Sequence, residues 1–178
     1  MNNKSTLIIY DWDDTLFPTT IVVRNKLGQL SMQLEHLSHV INKVDKIKLE
    51  LIALDKQIYK LLEKSMRMGY TVIITNASRS WIKETSSKYY PATYSLMMKY
   101  NIPVISAREF SSNNDIKDSN EWKNVTFKYF LTTFMSKNNK ISNILSFGDS
   151  LFEKKALEKY GHHINSNNQN NKVHIKTI

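Results

Sequence analysis

The chain has 178 residues, 41% of them hydrophobic, enough to build a core without disulfides or a structural metal. It contains no cysteine, which excludes disulfides, thiolate-bound zinc, iron–sulfur clusters and thiol nucleophiles together and suits a reducing compartment. The net charge of +9 is carried mostly by lysines spread along the chain, with no basic run interleaved with aromatics, so it supports nucleic acid as a partner only weakly.

The first apolar stretch, residues 7–10, is too short for a signal-peptide core or a membrane span. The expectation is a soluble cytoplasmic protein that does not engage the membrane. Residues 6–10 are β-prone and end abruptly in acidic residues, the pattern of a buried strand whose carboxyl end opens onto a site. From residue 27 to residue 68 apolar residues recur at helical spacing, with Leu30, Leu34, Leu37 and Ile41 in one stripe and Ile47, Leu51, Leu54, Ile58 and Leu61 in another. Two helices are predicted, broken near residues 42–45 with Asp45 as an N-cap, and Gly69 closes the second as a C-cap.

Residues 70–75 read as a second buried strand, 80–89 and 91–100 as helices, and 103–106 as a third strand. Residues 111–119 are predicted to be a loop, 120–135 a helix, 143–147 a strand, and the stretch after Ser150 a helix to about Tyr160. Residues 165–171 are of low complexity and predicted to be a flexible loop, and 172–178 alternate like a last strand. Strands alternating with helices predict one α/β domain over residues 1–178. Its fold is expected to be a Rossmann-like three-layer sandwich around a central, mainly parallel five-stranded sheet, with a small helical insertion after the first strand. Ligands in such sheets bind at the carboxyl ends of the strands.

Two strings fall at predicted strand ends. In Asp11-Trp-Asp13-Asp-Thr15, two carboxylates two residues apart can reach one cavity if the backbone leaves the pleat, one to attack and one to move a proton. Asp and Thr also fill turns and start helices, so the string alone does not decide. In Gly148-Asp149-Ser-Leu-Phe-Glu153, Gly148 permits a tight turn and two carboxylates four residues apart can hold a hard cation. A helix start capped by Asp149 or Ser150 is the plainer reading of that string. Trp12 is expected to pack beside the first strand, and the pairs His36/His39 and His162/His163 read as surface histidines rather than metal ligands.

Taken together and in order, the strings resemble the four motifs of the haloacid dehalogenase superfamily of phosphohydrolases over residues 7 to about 157. The first motif matches Asp11, Asp13 and Thr15. The second, an apolar strand ending in Ser or Thr, matches residues 72–75, with Asn76 following. The third, a lysine near a later helix start, matches Lys123, with Lys117 and Lys128 as alternatives; the fourth matches Gly148, Asp149 and Glu153.

The resemblance implies a Mg2+-dependent phosphomonoesterase. Asp11 would be the nucleophile that forms an aspartyl-phosphate, and Asp13 the acid and base. The Asp11 carboxylate, the Asp13 carbonyl and Asp149 would hold Mg2+, and Glu153 would orient a metal-bound water or pair with Lys123. Thr75, Lys123 and the N–H groups just after Asp11 and Asn76 would bind phosphate. Residues 17–44 leave room only for a minimal helical cap, which points to a bulky or macromolecular phosphorylated substrate. A polynucleotide or nucleotide phosphatase is the narrower alternative, and an inactive phospho-ligand binding protein the alternative of another class.

Overall fold

A computed structural model describes residues 5–25, 38–167 and 172–178. Five strands form one sheet: β1 (Thr6–Tyr10), β2 (Tyr70–Thr75), β3 (Val104–Ser106), β4 (Asn143–Phe147) and β5 (His174–Thr177). All neighbours pair in parallel, in the order β3-β2-β1-β4-β5. The chain therefore leaves β1 first toward β2 and β3 and later crosses to β4 and β5. Right-handed crossovers then put the two sets of helices on opposite faces. The gap between β1 and β4 is the topological switch point, where ligands of open α/β sheets bind.

The burial of β1 shows the layers. Its residues 7–10 are all buried, yet alternate side chains enter different cores. Ile8 and Tyr10 join Ile58 and Leu62 of α2 (Ser38–Met68), Ile82 of α3 (Arg79–Tyr89) and Leu96 of α4 (Pro91–Lys99). Leu7 and Ile9 join Phe127 and Leu131 of α6 (Trp122–Lys137) and Leu157 of α7 (Leu151–Asn167) on the other face. The result is the three-layer α/β sandwich expected from the alternation of strands and helices. Among the described residues no helix is long and apolar enough to cross a membrane.

Several local expectations are corrected. Residues 38–68 form one helix of 31 residues, about 46 Å long at 1.5 Å per residue, with no break near residue 45. Asp45 lies inside it, exposed and 3.4 Å from Lys48, and neither Gly nor Pro interrupts the segment. Its buried stripe is also shifted: Ile47, Leu51, Asp55, Ile58, Leu62 and Ser65 are buried, whereas Leu54 and Leu61 are each 38% exposed. Asp55 occupies a core position because its carboxylate caps another helix, accepting from Ala92 N at 3.0 Å and Thr93 N at 2.9 Å at the start of α4.

Gly69 follows α2 without a positive φ. A Cβ there would stand 2.4 Å from the Thr6 carbonyl oxygen, so close backbone approach, rather than a left-handed cap, requires glycine. A helix also appears where none was predicted: α5 (Ala107–Ser112) takes two residues of the expected loop. Ser106 caps it by accepting from Glu109 N at 3.2 Å. The helix α7 continues to Asn167, so residues 165–167 are helical backbone, and 168–171 lie outside the described residues.

The two ends of the expected cap segment, residues 17–44, lie within the described residues. Phe17 is fully buried and stacked on Trp12, α1 (Thr19–Arg24) is six residues long, and residues 38–44 belong to α2. Residues 26–37 lie outside the described residues, as do the side chains of the four histidines named above.

Candidate active site

The backbone leaves the pleat directly after β1. Asp11 N–H still donates to the Phe147 carbonyl at 2.9 Å, the last rung toward β4. The N–H groups of Thr15, Leu16 and Phe17 then converge on the Trp12 carbonyl at 3.3, 3.0 and 2.9 Å. Asp14 makes this turn possible with φ 53°, a left-handed conformation that aspartate tolerates better than most residues. Trp12 anchors the loop: its ring is fully buried and its Nε1 donates to Thr85 Oγ1 at 3.3 Å. The loop is held to the β4 end by Asp149 N–H donating to Thr15 Oγ1 at 3.1 Å.

Lys123, in the first turn of α6, enters from the side. Its Nζ stands 2.9 Å from Asp11 Oδ1 and also bonds Glu153 Oε1. All three groups are buried, with Lys123 3% and Glu153 4% exposed. A buried ammonium is tolerable only where carboxylates surround it, and each carboxylate needs it in turn. Lys117 and Lys128 are exposed, so Lys123 is the lysine this fold brings to Asp11. Glu153 is oriented further by the Ser150 hydroxyl, which also accepts from Phe152 N at 3.3 Å as the cap of α7. A Cβ on Gly148 would lie 2.6 Å from Glu153 Cγ. Glycine there makes room for the glutamate.

Thr75 ends β2, next to β1, and its Oγ1 accepts from Ala77 N at 3.1 Å. The N–H after Asn76, expected to face phosphate, is thus engaged within the turn, while Thr75 keeps its own hydroxyl hydrogen to donate. Asn76 Oδ1 is buried without a hydrogen-bond partner. Asp13 Oδ1 accepts from Thr19 Oγ1 at 2.5 Å and from Trp81 Nε1 at 3.0 Å. Thr19 and Trp81 were not singled out from the sequence, and Ser150 was named only as a candidate helix cap, not as a partner of Glu153. Ser150 was legible as the first residue of Ser-x-x-Glu, but Thr19 and Trp81 reach Asp13 only through the tertiary fold.

Burial pushes the Asp11 carboxyl above the ordinary carboxylate range, against the lowering effects of the Lys123 ammonium and the Thr75 hydroxyl. Asp149 is also raised, first by desolvation and then by repulsion from Glu153 and Asp14. Among the described residues no three His, Asp or Glu side chains are grouped as a metal-holding cluster. The donor set expected for Mg2+ has a different composition: two carboxylates, Asp11 and Asp149, and the Asp13 carbonyl. All are hard oxygens at the ends of adjacent strands, and no lysine or arginine pairs with Asp149 among the described residues. That chemistry fits a small divalent cation. Comparison with protein-family models, with curated proteins and with solved structures found no match.

Proposed function

We propose that the protein is a Mg2+-dependent phosphomonoesterase of the haloacid dehalogenase type. The observation that supports this reading best is the buried Asp11–Lys123–Glu153 array, drawn from three separate elements to the strand ends beside the switch point. A structural ion pair is equally possible anywhere in a core. Here the array stands beside a second aspartate, Asp13, on a loop shaped to leave the sheet, and beside Asp149, which forms no salt bridge with a lysine or arginine among the described residues.

In this reading an Asp11 carboxylate oxygen attacks phosphorus and the ester P–O bond breaks. Asp13 gives its proton to the departing oxygen, leaving an aspartyl-phosphate and a free alcohol. Asp13, now ionised, takes a proton from water as that water attacks the phosphorus; phosphate leaves and the Asp11 carboxylate is restored. Lys123 and the Thr75 hydroxyl bind phosphate oxygens and stabilise the charge that builds on them. Glu153 holds Lys123 in place. A bound Mg2+, held by Asp11, the Asp13 carbonyl and Asp149, supplies charge shielding between the nucleophile and the phosphate.

The test is turnover of para-nitrophenyl phosphate and of a panel of phosphorylated metabolites, nucleotides, phosphopeptides and oligonucleotides, with Mg2+ and with chelator. Hydrolysis that requires Mg2+ and disappears in Asp11→Asn supports the assignment. Turnover undiminished in that variant removes Asp11 as nucleophile.

A further inference from the structure

The fold gathers charge that the sequence spreads out. Residues 122–178 hold nine lysines, no arginine and three acidic residues, so this segment carries +6 of the chain's +9. Lys123 and Glu153 cancel each other in the buried array, which leaves the excess on exposed side chains. The helices α6 and α7 lie side by side on one face of the sheet, joined where Thr132 Oγ1 and the Tyr160 hydroxyl stand 2.7 Å apart. A groove of about 370 Å3 lies between them, lined by Asn124 and Val125 of α6 and by Ala156 and Tyr160 of α7.

Lys128 and Lys159, both exposed, border the groove from opposite helices. Lys155 is exposed one turn before Lys159 on α7. Lys154 pairs with Glu158 at 4.0 Å, but Lys128, Lys155 and Lys159 form no salt bridge among the described residues. Glu121 is the one acidic residue of the described lining, and Asn124 Nδ2 donates to its carboxylate at 3.2 Å. Next to Lys128 on α6, Tyr129 is 60% exposed, its ring 5.0 Å from that of Phe110. Lysines distant in sequence thus frame a concave face with open aromatic surface at its side.

We infer that this face binds the sugar–phosphate backbone of a single-stranded nucleic acid, outside the carboxyl-end site. Unpaired ammonium groups on two helices match successive phosphates, and the release of counterions favours the contact. Tyr129 offers a ring face for one base, a contact that every base can make. The groove admits one strand, whereas a duplex or a bilayer meets the lysines at its borders and leaves the groove empty. The inference does not depend on the phosphatase reading.

The probe is a fluorescent oligothymidylate of about ten nucleotides without a terminal phosphate, so that turnover at the carboxyl-end site does not enter. Anisotropy titration in EDTA at low salt is expected to give a Kd of about 1–100 µM, the range of sequence-independent binding, with affinity falling steeply as salt is added. Lys128→Gln/Lys155→Gln/Lys159→Gln should weaken binding at least about tenfold and flatten the log–log salt dependence by about two. Lys56→Gln/Lys60→Gln/Lys64→Gln makes the same change of net charge at exposed positions of α2, across the sheet, and should cost less than about twofold. Tyr129→Leu should weaken the oligothymidylate about five- to tenfold and spare an abasic strand. No binding up to about 100 µM protein, or equal losses in the two triple variants, overturns the site. Tighter binding of a duplex, of polyglutamate or of phosphatidylserine vesicles overturns the assignment to single-stranded nucleic acid.

Discussion

Trp81 Nε1 donates to Asp13 Oδ1 at 3.0 Å, and the same oxygen accepts from Thr19 Oγ1 at 2.5 Å. Two donors on one oxygen fix the rotation of the carboxylate and leave the other oxygen to the reaction. Trp81 stands on α3, which follows β2, and Thr19 opens α1, so elements on both sides of the site aim the proposed acid and base. Trp81→Phe keeps most of the packing and removes the donor. Its expected effect is a loss of about 10- to 100-fold in kcat for alkyl phosphates, whose leaving groups need the proton. The loss should be much smaller for 2,4-dinitrophenyl phosphate, which leaves unassisted. Equal losses for both would assign Trp81 a packing role only.

Asp11 predicts opposite effects on activity and stability. Its carboxyl is held above the ordinary range, chiefly by burial. The folded state therefore binds its proton more tightly than the unfolded chain does, and folding stability falls as pH rises through that interval. Wherever the carboxyl is ionised, its buried charge is a burden on the fold. Asp11→Asn should abolish turnover while leaving Tm equal to or above that of wild type. A calorimetric scan at pH 7 decides, and a clear drop in Tm would mean that the Lys123 pair outweighs the burial cost.

Much of this arrangement was legible in the chain. The bounds of β1, β2 and β4 follow from short β-branched runs closed by charged or turn residues, and Asp11, Thr75 and Asp149 stand at or just beyond their ends because a parallel sheet puts those ends side by side. Lys123 stood out because it opens a helix. Contacts between distant segments were not legible. Nothing local marks Trp81 as a partner of Asp13, or Asp55 as the cap of a helix 37 residues later. The shift of the buried stripe on α2 has the same origin, since an aspartate reads as a solvent-facing residue until its partners are known. The helix α5 was the avoidable omission: Ser106-Ala-Arg-Glu109 carries the Ser-x-x-Glu start signal.

Lys123→Met places a side chain of similar length among buried carboxylates without their ammonium. Breaking such a pair costs about 3–5 kcal/mol, so the variant should be strongly destabilised at pH 8. The Asp11 carboxyl, already raised, rises further when its cation is gone and takes up a proton more readily as pH falls. The stability gap between variant and wild type should therefore narrow between pH 8 and pH 5. Urea melts at the two pH values test this, and a gap that stays constant would show that the ammonium contributes little to the balance of charge there.

Asp55→Ala strips the start of α4 of its acceptor. Ala92 N and Thr93 N lose their carboxylate partner in a buried setting, and Pro91 at the first helical position has no N–H to need one. A loss of about 2–3 kcal/mol is expected in urea denaturation. Turnover of aryl phosphate below the new Tm should stay near wild type, since α4 contributes no group to the site. A large loss of kcat in a folded variant would tie this cap to the chemistry.

Two buried tyrosines make the fold sensitive to alkali, and they respond differently when replaced. The Tyr90 hydroxyl is buried without a hydrogen-bond partner. Its pKa is pushed far above the tyrosine range by burial and then by the charge of Asp55. Tyr10 is raised by burial too, though its hydrogen bond to Ser65 Oγ at 2.8 Å works the other way. In both cases the folded chain keeps its proton where the unfolded chain loses it. Stability is thus fully present below about pH 10, the ordinary tyrosine value, and is lost as pH rises beyond it. Tyr90→Phe removes an unpaired buried hydroxyl, so it should raise stability at pH 7 by about 0.5–2 kcal/mol and flatten the alkaline decline. Tyr10→Phe also flattens that decline, but it loses a made hydrogen bond and should cost about 1 kcal/mol at pH 7. Thermal melts of both variants from pH 7 to pH 11 check the contrast. A destabilised Tyr90→Phe at pH 7 would show that its hydroxyl has a partner in solution, an ordered water being the simplest.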